Sequence, residues 1–160
     1  MATVHAKETS LEVGIEAPTF SLPTLDQNYI SLRDYCGKTL RKPWKNKVKH
    51  VVILSFFATW CKPCLKEIPH LEKIKKNFNS QPVQFYLIIV GEEREKIDLF
   101  LENQKINLTI LLDRYKKTAE KYGALVLPRL VVIDKEGIVR KQQTGFTEGD
   151  NLEIELENLI

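Results

Sequence analysis

Cys61 and Cys64, in the segment Trp60-Cys61-Lys62-Pro63-Cys64, are the residues of this 160-residue chain best spaced to do chemistry. A pair three residues apart can form half of a zinc site, or it can open and close a disulfide. Zinc normally takes a second Cys/His pair. Only Cys36, His5, His50 and His70 remain, and none of them forms a paired spacing, so no metal is expected. Three cysteines are also too few for a disulfide scaffold, and a chain of this length buries a core without staples. Reversible thiol–disulfide exchange is the chemistry that fits, and it calls for no cofactor.

Such exchange needs one cysteine held as a thiolate, and the neighbouring elements can provide that. His50 to Phe57 is an apolar run of strand length, expected to be buried. Cys61 to Asn77 reads as a helix, with Leu65, Ile68, Leu71, Ile74 and Phe78 along one stripe and a kink expected at Pro69. Cys61 then falls where a strand ends and a helix begins. The free N–H groups and dipole of a helix start favour a thiolate, and Lys62 adds a positive charge. These effects can lower a cysteine pKa from about 8.5 into the range of roughly 3.5–7.5. Pro63 suits the first helical turn, where a missing N–H costs little. Cys64 lies one turn further in, which makes Cys61 the expected nucleophile and Cys64 the resolving thiol.

The remaining pattern is that of one domain, 14–160, preceded by a loose polar segment, 1–13. Residues 19–22 and 29–32 alternate around Asp26-Gln27-Asn28, as a β-hairpin does. Residues 83–90 read as a second buried strand, 92–103 as a helix and 108–112 as a short strand. Asp113 is placed to cap a helix reaching Tyr122 and ended by Gly123. Residues 127–133 and 137–144 read as strands joined by a turn at 134–137, and 148–160 as an amphipathic helix. Strands alternating with helices, then a late hairpin, give an α/β fold with a mixed central sheet flanked by helices.

Phe57-Ala58-Thr59-Trp60-Cys61-Lys62-Pro63-Cys64 closely resembles the active-site segment of the thioredoxin superfamily. Further stretches, at 14–20, 31–38, 122–128 and 131–137, narrow the resemblance to its TlpA/ResA-like thiol–disulfide oxidoreductases. It spans residues 14 to about 145. It implies a thioredoxin-like fold with an N-terminal β-hairpin extension. It makes Pro128 the cis-proline facing the disulfide, with the Leu127 backbone open to an extended substrate peptide. Glu67 matches an acid placed near the cysteines and is expected to take part in catalysis. Trp60, Lys62 and Pro63 are expected to border the substrate. Ser55 stands where thioredoxins bury an aspartate, and Arg129 follows the cis-proline where a small polar residue is usual. Cys36 reads as a small buried hydrophobe.

The activity that this resemblance implies is reduction of disulfides in an extracytoplasmic protein such as an apocytochrome c, with an upstream thiol reductant and a monomeric enzyme. The alternatives are a general cytoplasmic thioredoxin-like reductase, a peroxiredoxin-type peroxidase and a non-catalytic binding module. The peroxidase pattern places a threonine three residues before its cysteine, whereas Thr59 is two before Cys61. An intact cysteine pair argues against a mere binding module. The net charge of +3 does not suggest a nucleic-acid partner. Residues 38–50 nonetheless hold six Lys/Arg and no acid, a basic loop expected opposite the active site. The first twenty residues lack an apolar stretch of signal or membrane-spanning length. A periplasmic or other extracytoplasmic location, near a membrane, would therefore need a leader or anchor outside this sequence; the alternative location is cytoplasmic.

Overall fold

Val51–Phe57 forms a central strand, β3, and all seven of its residues are buried. Side chains alternate across a strand. Val51, Ile53 and Phe57 accordingly join one apolar cluster, while Val52, Leu54 and Phe56 join another on the opposite face. A strand covered on both faces needs no polar positions, which explains the unbroken apolar run. These features come from a computed structural model that describes residues 11–160. The loose segment expected at 1–13 lies mostly outside the described residues; within its described part, Leu11 is buried.

Before β3 comes a small antiparallel hairpin, β1 (Ser21–Pro23) and β2 (Tyr29–Ser31), then a 3-10 turn at Leu32–Asp34. The hairpin strands are shorter than expected because the turn is wider. Thr24 N donates to the Asn28 carbonyl, and Gln27 takes a left-handed φ of 65°. After β3 follow α1 (Lys62–Asn77), β4 (Val83–Val90), α2 (Arg94–Asn103), β5 (Thr109–Asp113) and α3 (Lys117–Lys121). The chain ends with β6 (Arg129–Ile133), β7 (Val139–Thr144) and α4 (Leu152–Leu159).

The main sheet runs in the order β5-β4-β3-β6-β7. β3, β4 and β5 are parallel, while β6 and β7 are antiparallel to their neighbours. Side chains of α1, α2 and α4 cover one face. α3 and the N-terminal segment cover the other, where Cys36 is fully buried. The expected mixed sheet, flanking helices and hairpin extension are all present.

β7 and α4 start later than expected, at Val139 and Leu152, and three other boundaries differ for local reasons. β6 starts at Arg129 and not at Leu127, since Pro128 has no N–H to give to a ladder. α2 starts at Arg94 and leaves Glu92 in the turn after β4. α3 starts at Lys117, so Asp113 is not its capping residue by position. Its buried carboxylate still accepts from Thr118 N at 3.4 Å and Ala119 N at 2.7 Å, satisfying amides at the start of that helix. Asp113→Ala should therefore lower stability by about 1–2 kcal/mol. Urea denaturation measures this, and an unchanged midpoint would remove Asp113 from the account.

Candidate active site

β3 and β4 are parallel neighbours, so the residues following each strand emerge at the same end of the sheet. The segment after β3 runs through Ala58, Thr59 and Trp60 into Cys61, the N-cap of α1, whose backbone is extended (φ −88°, ψ 105°). Cys64 N donates to Cys61 Sγ at 3.3 Å, so the sulfur sits where an N-cap acceptor sits. Pro63 occupies the first turn, as expected. The two cysteines are joined by a disulfide with Cα atoms 5.3 Å apart. Both are buried, Cys61 at 4% exposure and Cys64 at 1%. Lys62 and Pro63 lie on the surface between them. Cys36 is on the opposite face of the sheet, so the three cysteines do not share a site.

Glu67 follows Cys64 by one turn on the buried face of α1. It is 2% exposed, and Ser55 Oγ on β3 donates to its Oε1 at 2.5 Å. Ser55 is the polar break in an otherwise apolar strand, and this bond accounts for it. A buried carboxyl is thus present at this point of the fold, carried by α1 while the strand supplies a hydroxyl. Burial is the main cause that pushes the Glu67 pKa from 4.5 up to about 7, with the Asp150 charge adding to the rise. The Ser55 hydrogen bond and His70 act the other way. Glu67 thus titrates near neutral pH.

The residues expected to border a substrate lie at the same end of the sheet. β3 and β6 pair Phe56 with Arg129, so continuing that register brings Pro128 beside Phe57. The Leu127–Pro128 peptide is cis, and Pro128 is buried. Among the described residues, the backbone N–H and C=O of Leu127 have no main-chain partner. Trp60 is 70% exposed, and Leu125 (70%) and Val126 (63%) are exposed in the segment that leads to Pro128. Trp60 and Leu127 also line an open cleft of about 420 Å³ with Glu92, Lys116 and Leu125. Arg129 keeps its positive charge, and its guanidinium is turned along the sheet by donating to two neutral groups of β7, Thr144 Oγ1 and Gln142 Oε1.

Sequence reasoning placed Glu92 in a helix and missed its contact with the active-site segment. Its carboxylate accepts from Thr59 N at 2.9 Å and from Thr59 Oγ1 at 2.5 Å, holding the connection two residues before Cys61. The signal was the first acid after β4, but reading it required the pairing of β4 with β3.

The AhpC/TSA family model matches residues 13–142. The chain belongs to the AhpC/TSA family. The thiol-disulfide oxidoreductase ResA of Geobacillus thermodenitrificans is 31% identical over 158 residues, covering 99% of this chain and 84% of that protein. A solved structure from Chlorobium tepidum, described as a candidate thiol:disulfide interchange protein DsbE, matches with a TM-score of 0.76 and 27% identity, over 94% of this chain and 96% of that one. The exposed lipoprotein thioredoxin Etrx1 of Streptococcus pneumoniae matches with a TM-score of 0.72 and 28% identity, over 89% and 100%. The protein is a thiol–disulfide oxidoreductase of the ResA-like, thioredoxin-fold kind.

Within this ResA-like enzyme, the buried Glu67 makes stability depend on pH. Its folded pKa lies above its unfolded one, so its stabilising contribution is complete below about pH 4.5 and lost as pH rises through about 7. Glu67→Gln mimics the protonated acid and should match the wild type at pH 4. At pH 8 the wild type should be less stable than the variant by roughly 3 kcal/mol. Urea unfolding of the oxidised proteins at both values reads this difference, and parallel pH profiles would contradict it.

Proposed function

We propose that this enzyme reduces a disulfide in an extracytoplasmic protein substrate, an apocytochrome c being the reading favoured by its resemblance to ResA. The observation that supports this most is the pairing of a helix-start cysteine with a buried carboxyl that titrates near neutrality. In the reduced enzyme, the Cys61 thiolate attacks one sulfur of the substrate disulfide, and the other substrate sulfur leaves as a thiolate that takes a proton from solvent. Cys64 then gives its proton to the Glu67 carboxylate and attacks Cys61 Sγ. A Cys61–Cys64 disulfide forms, and the second substrate sulfur leaves as a thiolate that takes the proton from Glu67. An upstream dithiol returns two electrons to the pair and one proton to Cys64, restoring the Cys61 thiolate, and its other proton goes to solvent. The substrate chain lies across Trp60, Lys62 and Pro63 and pairs its backbone with Leu127, next to Pro128.

The location rests on the relatives. Etrx1 is described as an exposed lipoprotein, and no helix among the described residues is long and apolar enough to cross a membrane. Placement outside the cytoplasm would therefore come from a segment other than the fold described here. The enzyme acts as a monomer in this reading.

The assignment of roles is tested by trapping. Cys61→Ser should abolish disulfide reduction, whereas Cys64→Ser should accumulate a mixed disulfide through Cys61. Iodoacetamide should alkylate Cys61 of the reduced protein before Cys64, and mass mapping with the opposite order would reverse the two roles. Proteins captured by Cys64→Ser in cells should be exported and carry haem-attachment cysteines. Capture of cytosolic enzymes would favour the general reductase instead.

A further inference from the structure

The basic loop 38–50 is not a loose charged strand of chain. Buried Asp34 organises it: Arg41 Nε and Nη2 donate to the two carboxylate oxygens at 2.8 and 3.0 Å. Lys45 Nζ lies 3.8 Å from the same group. Asn46 donates to the Asp34 carbonyl at 2.9 Å, and Lys49 bonds the Lys38 carbonyl and Glu136. These contacts account for three of the six bases. Lys38, Lys42 and Lys47 have no ion pair among the described residues. Two acids, Asp34 and Glu136, thus answer six bases and leave an excess of four positive charges. The turn after α1 lies against this loop, and α1 brings Lys75 and Lys76 to the same end of the molecule.

The loop also exposes apolar surface that its own fold does not use. Trp44 is 60% exposed and Val48 59%. The Lys42 ammonium lies 5.5 Å from the centre of the Trp44 ring. Charge alone would suit any polyanion. A tryptophan and a valine presented among unpaired lysines suit a surface with anionic headgroups above an apolar layer, where an amphipathic ring settles at the boundary. We infer that loop 38–50 is a peripheral docking surface for an anionic lipid bilayer. Its place in the fold gives the docking a consequence. The loop precedes β3 and the cysteines follow it, and seven residues of strand separate the two ends by about 20 Å. A molecule resting on this loop turns its disulfide away from the membrane, toward soluble protein substrates. That distance also exceeds the Debye length of about 10 Å at 0.1 M salt, so the loop charges leave the redox chemistry alone.

The test uses the full chain with phosphatidylcholine vesicles, with and without phosphatidylglycerol. The protein should sediment with the anionic vesicles only, and added salt should release it. In a Trp60→Phe background Trp44 is the sole tryptophan, and its emission should shift to the blue on anionic vesicles. Each lysine near such a surface is worth about fivefold in binding, so Lys38→Gln, Lys42→Gln and Lys47→Gln together should weaken it about a hundredfold. The triple variant should keep wild-type turnover of a small disulfide, which also reports that it is folded. Equal sedimentation with both vesicle types, no sedimentation, or a triple variant that binds like the wild type would each overturn the inference. Salt-sensitive retention on immobilised polyglutamate without vesicle binding would also overturn it, in favour of an acidic protein partner.

Discussion

The Glu67 carboxyl lies between a helix and a central strand, shut away from water, with a serine hydroxyl as its hydrogen-bond donor. Charge in such a place is costly, and the group responds by holding its proton to about pH 7. Much of the site depends on this arrangement. The helix that carries Glu67 begins at Cys61 and carries Cys64 one turn before the acid, so the position of the carboxyl and of the cysteines is fixed by one rigid element. Below neutral pH the neighbouring acid is neutral and leaves the helix start free to favour a thiolate. Above it, the acid is charged and opposes a second negative charge nearby.

The connection between β3 and α1 has to hold the cysteines at the mouth of this arrangement, and a second carboxylate does so. Glu92 binds Thr59 through both its oxygens. One acid therefore acts from beneath the helix and another from the adjacent strand's end. The two are distinguished by environment: Glu67 faces a hydroxyl in the apolar interior, while Glu92 meets a backbone amide and a hydroxyl beside an open cleft.

Much of this was legible in the sequence because it is local. The apolar run of β3, the stripe of α1 and the cysteine spacing each need only a few consecutive residues. Glu67 also falls on the buried face by periodicity, together with Cys64, Leu71 and Ile74. Its hydroxyl partner was not legible, because Ser55 meets Glu67 only once the helix is laid across the sheet. Glu92 was misread for the same reason, since strand pairing across thirty-three positions decides what it touches. In the loop before β3, counting charges revealed the basic run but not that Arg41 and Lys45 gather on a buried aspartate. That Arg129 is held along β7 by Gln142 was likewise visible only once β7 was in place.

The central claim is that the buried carboxyl and the cysteine pair are electrostatically coupled, and thiolate absorbance measures that coupling directly. Titrating the reduced protein and its Glu67→Gln variant by ultraviolet absorbance follows thiolate formation without reference to any substrate. Removing the acid removes a negative charge that opposes ionisation, so at least one cysteine of the variant should titrate at lower pH. Superimposable curves would contradict the coupling and leave Glu67 as a buried structural acid.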